Sequence, residues 1–106
     1  KVEEEWLLMP ESKFSSELKT ELKKPKMYVV IMHNDDYTTM RFVVEVLIQI
    51  FNKSSIEASE LMMKIHTKGN AVIGIYTYDI AVTKKLLADK MAKQREFPLK
   101  ITIDEE

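Results

Sequence analysis

No cysteine occurs in this 106-residue chain, which excludes disulfides, thiolate metal sites and a cysteine nucleophile. That usage suits a reducing compartment, so a cytoplasmic location is expected, or the plastid stroma for a plant source. Charge of one sign is missing too: sixteen Lys and Arg stand against seventeen Asp and Glu, a formal net charge of -1. No overall field draws such a chain to nucleic acid or to an anionic membrane, and neither is expected as a partner. No apolar run approaches the ~20 residues of a membrane span, and the opening Lys1-Val2-Glu3-Glu4-Glu5 lacks the cationic start and long apolar stretch of a secretory signal. Histidine is scarce, with two residues and no HExxH pair. His33, Asp35, Asp36 and His66 are the one set from which a zinc hydrolase can be imagined, and neither a metal nor a cofactor is expected.

What is present is a 45% hydrophobic content, enough for one compact core. Residues 1–24 alternate acidic and basic side chains around a single apolar cluster, Trp6-Leu7-Leu8-Met9, and read as a flexible N-terminal extension. Residues 25–106 carry eleven charges of each sign and read as the folded domain. Pro25 precedes Met27-Tyr28-Val29-Val30-Ile31-Met32, a β-branched and aromatic run short enough for a strand buried on both faces. From Met40, apolar residues at 40, 43, 47, 50 and 51 recur at helical spacing, with Thr38 or Thr39 as N-cap and an end near Asn52. Ser54 or Ser55 caps a second helix with an inner stripe of Ile56, Leu61, Met62 and Ile65, closed by Gly69 as a left-handed C-cap.

Ala71 to Tyr76 reads as a second strand, in which Gly74 signals a bulge or a close backbone approach. Thr77 offers the N-cap of a third helix, whose inner face is expected to be Ile80, Thr83, Leu87 and Met91, with Lys84, Lys85, Asp89, Lys90 and Lys93 outside. After Pro98, Leu99, Ile101 and Ile103 alternate with polar residues, the period of a half-exposed strand. The fold class is therefore α+β: three helices against a three-stranded, antiparallel sheet, in the order β-α-α-β-α-β.

Between the first strand and the first helix lies His33-Asn34-Asp35-Asp36-Tyr37-Thr38-Thr39-Met40, a doubly acidic loop beside an apolar helix start. An amide oxygen and two carboxylates suit a cation, and Met40 suits a hydrophobic group next to it, so a ligand carrying an ammonium beside an apolar side chain fits. The competing reading is ordinary turn and capping chemistry.

Met27-Tyr28, Asn34-Asp35-Asp36-Tyr37-Thr38, Met40, Phe42-Val43, Leu61-Met62, His66, Gly69, Gly74, Thr77, Thr83-Lys84 and Pro98-Leu99 together resemble the ClpS adaptors of the ATP-dependent Clp protease, over residues 25–104. The resemblance implies a non-enzymatic adaptor. It would bind substrate proteins through a bulky first residue (Leu, Phe, Tyr or Trp, an N-degron) with a free α-amino group, and pass them to a Clp AAA+ unfoldase of ClpA or ClpC type. It also implies that Asn34, Asp35 and His66 hold the amine, with Asp36 and Thr38 on the rim; that Met40, Val43, Met62, Ile65 and Leu99 line the apolar pocket; and that Asp79 and Lys84 dock the unfoldase, the N-terminal extension taking part in delivery. Thr39 stands where that family usually has Pro, Asp79 where it has Glu, Val82 where an acid is common and Phe97 where His is frequent.

Two consequences are expected of these assignments. Asp35→Ala weakens peptide binding while leaving thermal stability nearly unchanged, as for a loop carboxylate kept for a ligand. Met40 gates the pocket against β-branched first residues. A scaffolding domain is the other alternative, because the C-terminal domain of a ribosomal stalk protein shares this architecture and lacks such a pocket.

Overall fold

The computed structural model describes residues 25–106, so the extension expected over 1–24 lies outside the described residues. The elements come in the expected order: β1 (Met27–His33), α1 (Met40–Gln49), α2 (Ser55–Lys68), β2 (Asn70–Thr77), α3 (Tyr78–Gln94) and β3 (Lys100–Glu105). β1, the most apolar strand, is central in the order β2-β1-β3 and pairs antiparallel with both neighbours.

Val30 and Met32 of β1 share one face of the sheet with Ala71, Ile73 and Ile101, and all five are buried beneath the helices. On the opposite face Val29 and Ile31 are only half-buried, so β1 is not buried on both faces as its composition suggests. The pairing of β1 with β2 slips one residue between Val30 and Ile31. Gly74 sits at that slip with the Tyr76 ring folded over it: a Cβ there would meet the Tyr76 hydroxyl at 2.5 Å. Both meanings of a strand glycine, bulge and close approach, therefore apply at this residue.

The helices start and stop where their caps dictate. Thr39 accepts the Phe42 N–H at 3.1 Å and opens α1, and Ser54 accepts the Glu57 N–H at 3.1 Å and opens α2. α2 closes on Gly69 at φ 93°, a left-handed conformation that glycine adopts without the Cβ penalty. Thr77 opens α3, but its hydroxyl donates to Asp79 Oδ1 at 2.8 Å instead of accepting a backbone N–H.

Two inner faces differ from those expected. In α2, Ile65 is buried and Leu61 and Met62 pack against the core as expected, but fully buried Ala58 takes the place of Ile56, which is 71% exposed. In α3, Ala81, Ala88 and Ala92 are buried, Thr83 is exposed, and Ile80 and Leu87 are 46% and 49% exposed. The physical reason is the same in both. Alanine lets a helix backbone sit close to its neighbour, so a face chosen by side-chain bulk misses it: α2 loses only the first member of its stripe, whereas the α3 face is out by one residue, a turn of about 100°. The charges expected outside α3 are partly drawn in: Lys85 pairs with Asp89 at 2.7 Å and both are half-buried.

Candidate functional site

Antiparallel pairing brings the loop after β1 to the end of α2. The last pair of the β1–β2 ladder is His33 with Asn70, and one step further the Asn34 N–H donates to the Gly69 carbonyl at 2.8 Å. Gly69 in turn donates its N–H to the Ile65 carbonyl at 2.9 Å. The loop 34–39 is thus tied through main-chain atoms to the helix that carries Met62, Ile65 and His66.

Inside the loop Asp35 is the organiser. Its Oδ1 accepts the N–H groups of Tyr37 at 2.8 Å and Thr38 at 2.6 Å, and its Oδ2 accepts the Thr38 hydroxyl at 2.6 Å. Partial burial pushes the Asp35 carboxyl up, but the hydrogen bonds from Thr38 and Tyr37 outweigh it and hold the group below the usual 3.8. A carboxylate has about four lone-pair positions, so with three occupied roughly one remains for a ligand. This revises the expected silence of Asp35→Ala on stability, because that change removes all three bonds that shape the loop.

Between the loop and α2 opens a cavity of about 450 Å³, within the ~300–1,000 Å³ typical of small-ligand clefts. Asn34, Asp35, Asp36, Thr38 and His66 contribute polar wall, and Met40, Val43, Met62 and Ile65 contribute apolar wall. Nine of the ten residues assigned to the amine site and pocket therefore meet in one place. The tenth, Leu99, lies in the hydrophobic core at 8% exposure and is not part of the cavity lining. Tyr37 and Thr39 also line the cavity, and sequence reasoning had given neither a binding role. Their place beside the assigned Thr38 was the available signal.

His33, the fourth donor of the imagined zinc set, is not in the lining; its Nε2 lies 2.8 Å from Thr102 Oγ1 across the sheet. Among the described residues no cluster of three or more His, Asp or Glu side chains is placed to hold a metal. No helix among them is long and apolar enough to cross a membrane.

Asp79 and Lys84 meet elsewhere, in a hollow of about 350 Å³ between the end of α1 and α3 that Ile80, Thr83 and Leu87 also line. The Lys84 ammonium donates to the Ile50 carbonyl at 2.8 Å and stands 5.9 Å and 5.5 Å from the ring centroids of Phe51 and Tyr76. It holds the C-terminal end of α1 and two aromatic faces, which gives Lys84 a structural role whatever else it contacts. Asp79 is exposed, and its hydrogen bonds from the Thr77 hydroxyl and the Ile80 N–H lower its carboxyl below the usual 3.8.

The family model for the ATP-dependent Clp protease adaptor protein ClpS matches residues 23–102. The ATP-dependent Clp protease adapter protein ClpS of Acetivibrio thermocellus is 53% identical over 90 residues, 85% of this chain and 91% of that protein. The protein of the same name from Helicobacter hepaticus is 45% identical, over 92% of this chain and 98% of its own. Among solved structures, Agrobacterium tumefaciens ClpS2 bound to L-phenylalaninamide superimposes with a TM-score of 0.75 at 40% identity, covering 78% of this chain and all of that one.

Proposed function

The chain belongs to the ClpS family of ATP-dependent Clp protease adaptors, and on that premise we propose that it binds proteins through a bulky hydrophobic first residue, Leu, Phe, Tyr or Trp, bearing a free α-amino group. It hands them to a Clp AAA+ unfoldase of ClpA or ClpC type and catalyses nothing itself. The observation that carries this reading is the two-sided cavity, in which hydrogen-bond acceptors and apolar side chains face one space. The phenylalaninamide held by the Agrobacterium tumefaciens relative has the matching chemistry, an amine one carbon from an aromatic side chain.

Each half of the cavity has a share in affinity. An ammonium has three donors and no acceptor, so it needs convergent acceptors: the Asn34 amide oxygen, the remaining Asp35 position, and a neutral His66 nitrogen, with Asp36 adding charge at the rim. Burial of one Leu or Phe side chain against Met40, Val43, Met62 and Ile65 contributes ~1.5–3 kcal/mol, whereas micromolar affinity requires about 8 kcal/mol. Charge-assisted hydrogen bonds of roughly 1.5–3 kcal/mol each make up the difference when two or three form together. Two methionines in the apolar wall fit a site that takes both aliphatic and aromatic guests, because the unbranched thioether adapts its shape. Unfoldase docking falls to Asp79 and Lys84 on α3, where Ile80 and Leu87 add exposed apolar surface.

Fluorescence anisotropy with short peptides that differ only at the first residue tests the proposal. Peptides beginning with free Leu or Phe bind, and acetylation of the amine weakens them by about 100-fold or more, the loss of two charge-assisted bonds at 1.4 kcal/mol per tenfold. Equal affinity for free and acetylated peptides would falsify the ammonium site.

A further inference from the structure

A second cavity adjoins the site above and shares one residue with it. It measures about 570 Å³ and lies beside the first turns of α1 and the end of α3, lined by Thr39, Arg41, Phe42, Glu45, Arg95 and Phe97 among others. Thr39 belongs to its wall and to that of the amine cavity as well, so the two open on either side of one residue. The only two arginines of the chain are both here.

Arg95 is held in place: it caps the end of α3, stands 5.4 Å from the Phe42 ring centroid and pairs with Glu45 at 3.1 Å. Arg41 is exposed and forms no ion pair among the described residues. It occupies the first turn of α1, which contains no acid, although the helix dipole favours anions at that end and disfavours cations. Arg95 and Glu45 balance each other in this lining, so the exposed Arg41 at a helix N-terminus leaves one uncompensated cation and makes an anionic guest the complementary one.

We infer that this cavity is a second subsite for the bound chain and takes an acidic side chain at its third residue. The inference rests on the reading of the neighbouring cavity as the site of the first residue. An extended peptide alternates its side chains with period two, so the third follows the first on the protein-facing side, about 7 Å further along the chain. Polarity runs the same way as the peptide: the acidic loop 34–36 meets the cationic amine, and the arginines meet the anion beyond Thr39. The second residue points away and carries no preference of this kind.

Anisotropy with peptides beginning Leu-Ala-Glu, Leu-Ala-Gln and Leu-Ala-Lys, beside their acetylated forms and a Leu-Glu-Ala control, tests the subsite. Glu at position three binds roughly 2- to 5-fold more tightly than Gln, the range of exposed charge pairs, and Lys more weakly than Gln. The Glu-to-Gln ratio falls towards one in Arg41→Gln and in high salt, where exposed pairs are screened. It rises in Glu45→Gln, which frees Arg95. Free-amine peptides that bind equally well with Glu, Gln or Lys at position three overturn the subsite and leave the first-residue site standing, as does a Glu preference that Arg41→Gln leaves intact. Acetylated peptides that bind as well as free ones overturn both.

Discussion

The cavity beside α2 and the outer face of α3 use their apolar residues in opposite ways. α1 buries large side chains (Phe42 and Leu47 are each at most 1% exposed), α2 buries Ile65 beside the smaller Ala58, and a cleft opens between α2 and the loop. α3 buries Ala81, Ala88 and Ala92 and turns Ile80, Leu86 and Leu87 outward at 46%, 62% and 49% exposure. Bulk facing inward produces a concave site for a small guest. Bulk facing outward produces an apolar surface suited to a flat partner. The charges follow the same division: loop 34–36 brings its acids to the cavity wall, whereas Lys84 turns its ammonium inward onto Ile50.

The largest effect that can break this contrast is on stability. Leu47→Ala, at a fully buried position, is expected to cost ~2–5 kcal/mol by leaving a void, whereas Leu86→Ala stays within about 0.5 kcal/mol, as for an exposed site. Urea denaturation of the two variants makes the measurement; similar losses would mean that α3 packs its leucines after all.

Asp35 sharpens the comparison within the cavity. Asp35→Ala is expected to weaken Leu-peptide binding by at least ~1.5 kcal/mol and, because three loop hydrogen bonds go with it, to lower stability by about 1–3 kcal/mol. The stability share depends on pH in a fixed direction. The native carboxyl lies below its ordinary 3.8, so its contribution is complete above that value and fades as pH falls through the lowered native pKa. Thermal melts of wild type and Asp35→Asn should differ at neutral pH and converge in acid beyond that point; a gap that widens with acidity contradicts the assignment.

Selectivity carries the smallest effect. Met40 lines the cavity at 43% exposure. A β-branched first residue places its extra methyl next to the backbone, against this side chain, while Leu branches one carbon later. Met40→Ala is expected to improve Val- and Ile-initiated peptides relative to Leu by on the order of 1 kcal/mol, the low end of relief from overpacking. Titrating wild type and variant with the same three peptides decides it, and an unchanged ratio moves the gate to another residue.

Much of this was legible before any coordinates. Strand and helix order followed from β-branched runs, caps offered at Thr38 or Thr39 and at Ser54 or Ser55, of which the structure uses Thr39 and Ser54, and Gly69, since each is a local signal fixed by backbone chemistry. The polar and apolar halves of the cavity were legible through the family resemblance carried by residues 34–38, 40, 43, 62 and 66, which also implied Ile65. What stayed hidden was non-local. Ala58, Ala81 and Ala88 face the core because of how closely elements approach, a distance no residue type states. The bond from Lys84 to Ile50, 34 positions away, and the retreat of Leu99 into the core depend on how α3 and β3 settle against the rest. The cavity that Arg41 and Arg95 both line was equally beyond reach, because residues 54 positions apart meet only in three dimensions.

The hydrogen bond from Asn34 to Gly69 has a mechanical consequence. It joins the end of a strand ladder to the end of a helix through two peptide groups, so the span between the acidic loop and His66 is a fixed gauge made of backbone. Side chains in the cavity can then be exchanged like jaws on a calliper whose frame does not bend. Exchanging cavity side chains leaves the loop and α2 in register, whereas a residue that resists the left-handed turn at position 69 would spring the frame.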